Sequence, residues 1–506
     1  MDLLLLIFIP LITAVLVLIS ANATQVKWVS LAGSLAQLVV ASMFTYWVYT
    51  MRTTGDTTPM FFENNFSWFS SFNINFHIGV DGISMAMIML TALVVVAGIL
   101  VSWNVQRLTK EFFLLLVLLS LGAYGFFISL DLFTMFFFLE LAVLPKFLLI
   151  AVWGSGKKEY SAMKLALMLM AGSSLVLVGM LWMYFISDVN GAHSFDLLAL
   201  SQQQIPIEAQ RYIFPLLFVG FGVFTALFPF HTWVPDGHSS APTAASMFLA
   251  GISMKLGGYG CLRVATYLCP EAAHEYSWLI VLLSTIAIIY GAFATLMQKD
   301  LKYINAYSSV SHCGFVIFGI GMLTETAIAG AVMQMVSHGL MTALFFAAIG
   351  MIYERTHTRQ VAELGGLLKT IPFIITVFAI AGLCSLGLPG LSGFVAEMTV
   401  FMGSWQRAEP IYHFATILAC ASIVVTAVYI LRAVGATAMG PVAQDKFKGF
   451  SDAAWNEKLA SVTLLAGILI IGILPFLLTN LLSTDTQYLM NNINRATGVT
   501  GVVLNK

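Results

Sequence analysis

The sequence predicts an all-α polytopic membrane protein of about fourteen transmembrane helices, and three observations carry that reading. Of the 506 residues, 59% are hydrophobic and only 9% are charged, against about a quarter charged in soluble domains. Apolar windows long enough to cross a bilayer core, roughly 20 residues each, follow one another with short connections. Two of the windows, the seventh and the twelfth, are interrupted by proline, glycine and polar residues close to membrane depth. A net charge of −1 leaves no basic surplus to neutralise phosphates, so a nucleic-acid partner is not expected.

The windows lie near 3–20, 27–49, 83–103, 111–129, 132–154, 161–186, 212–230, 243–267, 277–297, 301–322, 326–353, 370–404, 411–435 and 457–482. The first reads as a retained span, because "MDLLLLIFIP" has Asp2 where a signal peptide would have basic residues, and no small-residue cleavage site follows. Longer connections fall at 51–80, 187–211 and 436–456, and a polar tail follows residue 483. Loops after odd-numbered windows hold fourteen Lys and Arg residues. Those after even-numbered windows, with the tail, hold five. By the positive-inside rule the first set faces the cytoplasm and both termini face the opposite side.

The interrupted windows read "FPFHTWVPDGHSSAPT" (Phe228–Thr243) and "GLPGLSGFVAE" (Gly387–Glu397). Broken helices at matching places in two halves point to inverted repeats with ions handled at the breaks. The expected organisation is an N-terminal three-helix segment at 1–110, a first repeat of helices 4–8 at 111–267, a second repeat of helices 9–13 at 268–435, and a last helix with a short tail, on the side away from the cytoplasm, at 436–506. Discontinuous helices 7 and 12 occupy the fourth place in each five-helix repeat.

Charge inside a membrane span costs about 2.5–3.5 kcal/mol on insertion scales and marks ion pathways and proton relays. Glu140, Lys146, Lys164, Lys255, Arg263, His312, His338 and Glu397 lie within the windows. Lys164 and Arg263, near span ends, are expected to snorkel to the interface. Glu140, Lys146, Lys255, His312, His338 and Glu397 are the candidate proton relay. Burial moves acids and amines toward neutrality and histidine titrates near pH 6.5 unaided, so such groups can exchange protons through water. A static internal ion pair is the other reading that the residues leave open.

Other features carry no cofactor. The five cysteines have none of the spacings of disulfide frameworks, haem or zinc sites, so no redox centre is expected in this chain. His231 and His238 lack a carboxylate–histidine spacing for a metal. The run Phe136–Phe138 and the 25 methionines read as packing and lipid-facing residues.

The blocks "FHTWVPDGHSSAPTAASMFLAGISMKLGGYG" (230–260), "DLKYINAYSSVSHCGFV" (300–316), "QMVSHGL" (334–340), "YERTHTRQVAELGGL" (353–367) and "LPGLSGFVAE" (388–397) resemble the M-subunit family of bacterial NADH–quinone oxidoreductase, respiratory complex I. The resemblance implies an antiporter-like membrane-arm subunit that translocates protons in the bacterial inner membrane. Flavin, iron–sulfur clusters and quinone would reside in partner subunits, and the neighbours would be the antiporter-like L and N subunits and membrane lipids. It places Glu140 on the family's helix-five glutamate, Lys255 on its helix-eight lysine and Glu397 on its helix-twelve glutamate. His312 and His338 fall on its two axis histidines. Glutamate at helix twelve separates M from L and N, which carry lysine there, and L adds a long lateral helix.

The family also has a lysine in helix seven before the His–Trp block, but here "FGVFTALFPFH" (Phe221–His231) has no ionisable residue before His231. Helix five instead carries Lys146. The resemblance therefore suggests that Lys146 replaces the missing base as an electrostatic gate for Glu140. Ideal geometry puts the two side chains about 9 Å apart in rise and roughly 120° apart around the helix. Lys146 is thus expected to project toward helix seven or eight and to reach Glu140 through water, with Pro145 kinking the helix between them. The competing reading is a D-type subunit of a multi-subunit Na⁺/H⁺ antiporter, a secondary transporter without redox coupling. A membrane scaffold would have little use for these buried charges.

Overall fold

The computed structural model describes residues 2–189 and 191–498, and most of them are helical. Helices α1 (Leu5–Ile19) and α2 (Ala23–Thr53) open the chain. Asn22 caps α2 by accepting from the Gln25 amide at 2.9 Å. The connection that follows is not the plain loop expected over 51–80. It holds an antiparallel hairpin, β1 (Phe61–Phe69) with β2 (Ile74–Val80), turned through Asn73 at φ 51°, a left-handed conformation that asparagine tolerates.

Helices α3 (Gly82–Val101) and α4 (Thr109–Ile128) follow. The fifth window is two pieces, α5 (Leu132–Leu141) and α6 (Val143–Trp153), divided at Ala142. Pro145 supplies the reason, since it has no N–H for the carbonyl four residues before it. Next come α7 (Lys158–Ile186), the short α8 (Leu197–Ser201), α9 (Ile207–Thr225) and α10 (Trp233–Ser240). The seventh window therefore breaks after Thr225, where Ala226 turns into the left-handed region at φ 65°.

The eighth window is helical throughout but uneven. Between α11 (Thr243–Phe248) and α12 (Met254–Gly260) lies a π-helical turn, Leu249–Ser253, and a second, Cys261–Thr266, follows α12. Such turns favour functional sites because they shift the backbone hydrogen-bond register. After α13 (Pro270–Glu275) come α14 (Ser277–Leu296), α15 (Leu301–Gly321) and α16 (Glu325–Thr356). The twelfth window splits into α17 (Pro372–Ser385) and α18 (Ser392–Trp405), and α19 (Pro410–Ala438) follows.

The final window, expected at 457–482, is cut by Pro475 into α20 (Trp455–Ile473) and α21 (Phe476–Thr497). Most of the segment expected as a polar tail is thus helical. Leu481, Leu482, Leu489 and Ile493 bury one face of α21, and α21 packs on α2 and α3.

Among the described residues, ten helical segments are long and apolar enough to cross a membrane. The hydropathic window of α16 is wholly buried, and that of α3 is 89% buried. Helices apolar on all sides belong inside a bundle, and these two sit at its centre. Phe185, Phe293, Phe414 and Val424 are exposed on outer helices, as expected where hydrocarbon is the solvent. In the first half α7 and α9 approach closely through glycines. A Cβ built on Gly172 would stand 2.9 Å from the Gly220 carbonyl oxygen, and one on Gly220 would stand 2.7 Å from that of Gly172. Small residues allow such contact between membrane helices.

Candidate functional site

Four of the predicted residues form one connected line through the buried centre. Lys255 lies on α12 between the two π-helical turns and is 1% exposed. Its ammonium donates to the Ala250 carbonyl and, at 2.8 Å, to His338 Nδ1. A charged lysine is donor only, so His338 accepts through Nδ1 and carries its proton on Nε2, which has no partner. The His338 ring on α16 stacks on His312 of α15 with centroids 5.3 Å apart. His312 Nε2 lies 2.9 Å from Ser385 Oγ, and its Nδ1 is 3.2 Å from Gln334 Nε2 and 3.5 Å from Glu397 Oε1.

These contacts give His312 two sets of partners. Neutral, its Nδ1 accepts from Gln334 and its Nε2–H donates to Ser385. The same Nδ1 also faces the Glu397 carboxylate, so one ring links Gln334, Ser385 and Glu397.

Glu397 stands on α18 beyond the helix break, 4% exposed. The break brings Gly387, at φ +76°, so close that a Cβ there would lie 2.7 Å from Glu397 Oε2. Glycine takes that backbone conformation without strain.

Glu140 and Lys146 stand apart from that line. Lys146 is 1% exposed, and its ammonium points at the ring of Phe224 on α9, 5.8 Å from the centroid. Among the described residues neither Lys146 Nζ nor Glu140 Oε1 has a hydrogen-bond partner, and no direct polar contact joins the pair to Lys255.

Of the two residues expected to snorkel, the structure corrects Arg263. Arg263 is 3% exposed and pairs with Asp81, which caps α3. Lys164 pairs with Asp236 on α10 at 2.7 Å. Arg52 pairs with Asp485 of α21, whose Oδ2 also accepts from the Gly82 amide at 2.7 Å.

Sequence reasoning missed two further groups. His238 is fully buried on α10, stacked on Phe346 at 5.1 Å, with neither ring nitrogen partnered. Its spacing from His231 fits no metal, and nothing else in the sequence marks it. Lys302, counted among loop charges, is 4% exposed in α15 and donates to the Ala241 carbonyl at 2.6 Å. Beside it Arg359 reaches Asp300 at 3.2 Å and the Ser239 carbonyl at 2.9 Å. These two cations close the C-terminal end of α10, where the peptide dipole is negative.

Outside the spans, His77 of β2 lies between Asp196 Oδ2 at 2.5 Å and Glu63 Oε1 at 2.9 Å. Burial opposes its charged form, but the two carboxylates outweigh burial and raise its pKa above the usual 6.5. A raised folded-state pKa gives stability that is complete below pH 6.5 and fades as pH rises through the raised value. His77→Gln is therefore expected to loosen the hairpin by about 1.5–3 kcal/mol at pH 6, and by progressively less at alkaline pH. Limited proteolysis across Phe61–Val80 over that pH range measures it.

Helices broken at two places beside a buried chain of lysine, histidines and glutamate define a polytopic ion-transport subunit. The family described as NADH:quinone oxidoreductase/Mrp antiporter, transmembrane, matches residues 129–426. NADH-quinone oxidoreductase subunit M of Rickettsia conorii is 34% identical, over 96% of this chain and 97% of that protein. NAD(P)H-quinone oxidoreductase chain 4-2 of Synechocystis is 37% identical, over 84% of this chain and 74% of that protein. A chain in the structure of respiratory complex I from Thermus thermophilus superposes with a TM-score of 0.87 at 24% identity, over 97% of this chain and 99% of that one. The chain belongs to the NADH:quinone oxidoreductase/Mrp antiporter transmembrane family, among its M subunits.

Proposed function

We propose that the protein is a proton-translocating membrane-arm subunit of an NADH–quinone oxidoreductase. The observation that carries this reading is the unbroken line Lys255–His338–His312–Glu397, with contacts of 2.8 Å and 3.5 Å at its ends. Protons move along it between groups that change charge without leaving the bundle. Glu140 and Lys146 stand apart from that line and sense a neighbouring subunit's charge state. Electrons travel elsewhere, in partner subunits that hold flavin, iron–sulfur clusters and quinone.

The fourteen-span plan, the repeats at 111–267 and 268–435, the L and N neighbours, and a bacterial inner membrane with both termini periplasmic complete the proposal. The matching interruptions after Thr225 and after Ser385 support the repeats. The second reading, a D-type subunit of a Na⁺/H⁺ antiporter, shares the family description. Near full-length likeness to a protein named subunit M favours the first.

Two measurements test the proposal. Purification from native membranes is expected to bring flavin and iron–sulfur subunits with this chain, and their absence would sink the redox-coupled reading. In inside-out vesicles, Lys146→Met is expected to reduce proton uptake and quinone-reductase activity to the level of Glu140→Gln. Wild-type rates in Lys146→Met would make that lysine a bystander.

A further inference from the structure

Lys146 poses a physical question that the axis itself does not answer. Its ammonium is buried without a hydrogen-bond partner, as is Glu140 Oε1, and an unpaired charge taken out of water is costly. What the ammonium does meet is the ring of Phe224, 5.8 Å from its centroid. Phe224 is 1% exposed, so water does not dilute the attraction between a cation and a π face. It also lies in the last turn of α9, which ends at Thr225, where the helix dipole presents its negative end. This is the helix in which the resemblance places a lysine that the chain lacks.

We propose that Phe224 is a positioning residue for Lys146: its ring is one of two resting places of the ammonium, and the Glu140 carboxylate is the other. The inference rests on the reading of Glu140 and Lys146 as translocation residues. The division of the helix at Ala142 sets α6 on its own course, and the four-carbon lysine stem supplies the reach. With the ammonium on the ring, Glu140 stands without its counter-charge; with the ammonium beside it, the two charges are paired. The aromatic face balances the two positions, since an apolar aliphatic residue offers the cation nothing and a carboxylate would hold it fast.

The test uses the intact complex in inside-out vesicles, with the amount of assembled complex measured for each variant. Phe224→Leu is expected to slow proton uptake by about 3- to 30-fold, the range of a cation–π contact. Phe224→Met, which fills similar space without a ring, is expected to do the same and decides the matter if the leucine variant does not assemble. The double variant Lys146→Leu with Phe224→Lys is expected to pump faster than Lys146→Leu alone, because it returns the cation to the same place from the other helix. A structural role for Phe224 would produce no such rescue. Wild-type pumping in both Phe224 variants, or a double variant as slow as Lys146→Leu, overturns the proposal. Wild-type pumping in Lys146→Leu overturns the reading of Lys146 itself, and this inference with it.

Discussion

Lys255→Met is expected to stop proton passage through this subunit, slowing it by about 10²- to 10⁴-fold, the usual contribution of a positioned proton-transfer group. Methionine keeps the stem but removes the donor that His338 Nδ1 meets 2.8 Å away. Lys255→Arg separates two explanations. Arginine retains charge but does not release its proton, so a relay fails with arginine whereas a purely electrostatic post survives. Vesicle acidification with parallel quinone reduction reads both variants, and near-normal pumping in Lys255→Arg would show that the residue never gives up its proton.

The second large effect concerns stability. Arg263→Leu is expected to destabilise the protein by about 3–5 kcal/mol, because it leaves buried Asp81 without its cationic partner. Asp81 is 2% exposed and caps α3, so the damage spreads from a side chain to a central helix. Replacing both partners with apolar residues of similar volume is expected to cost much less than either single change. Thermal unfolding of the purified complex, followed by release of this chain, gives the comparison. A double variant that loses the sum of the two single losses would mean that the pair contributes nothing beyond packing.

The helices were legible where hydropathy and punctuation agree. Proline and glycine marked the breaks near Phe228 and Gly387, because they remove a backbone donor or admit a left-handed turn. The division at Ala142 was harder to read, since only the later Pro145 hints at it. The hairpin at Phe61–Val80 and helix α21 escaped because each is amphipathic, and averaging over a window hides an alternating or one-sided pattern. In α21 the signal was there to be read, with Leu481, Asp485, Leu489 and Ile493 recurring every fourth residue.

The candidate site followed from the cost of burying charge, which singled out Lys255, His312, His338 and Glu397 without any coordinates. Arg263 was assigned to the membrane interface because its partner, Asp81, is remote in sequence and no local rule joins them. His238 was overlooked for a different reason: its isolation is visible only once Phe346 and Trp233 are seen around it.

The glycine contact between α7 and α9 sets terms for anyone who would redesign this subunit. With the Gly172 and Gly220 backbones already touching, α9 has no room to roll or slide when a residue on it is exchanged. A side chain grafted at Phe224 therefore inherits the heading of the one it replaces, and the helix serves as a fixed ruler against which charges can be relocated. The same contact makes the two glycines poor places to begin. Any larger residue there would shift the scale itself, and every later measurement along the helix with it.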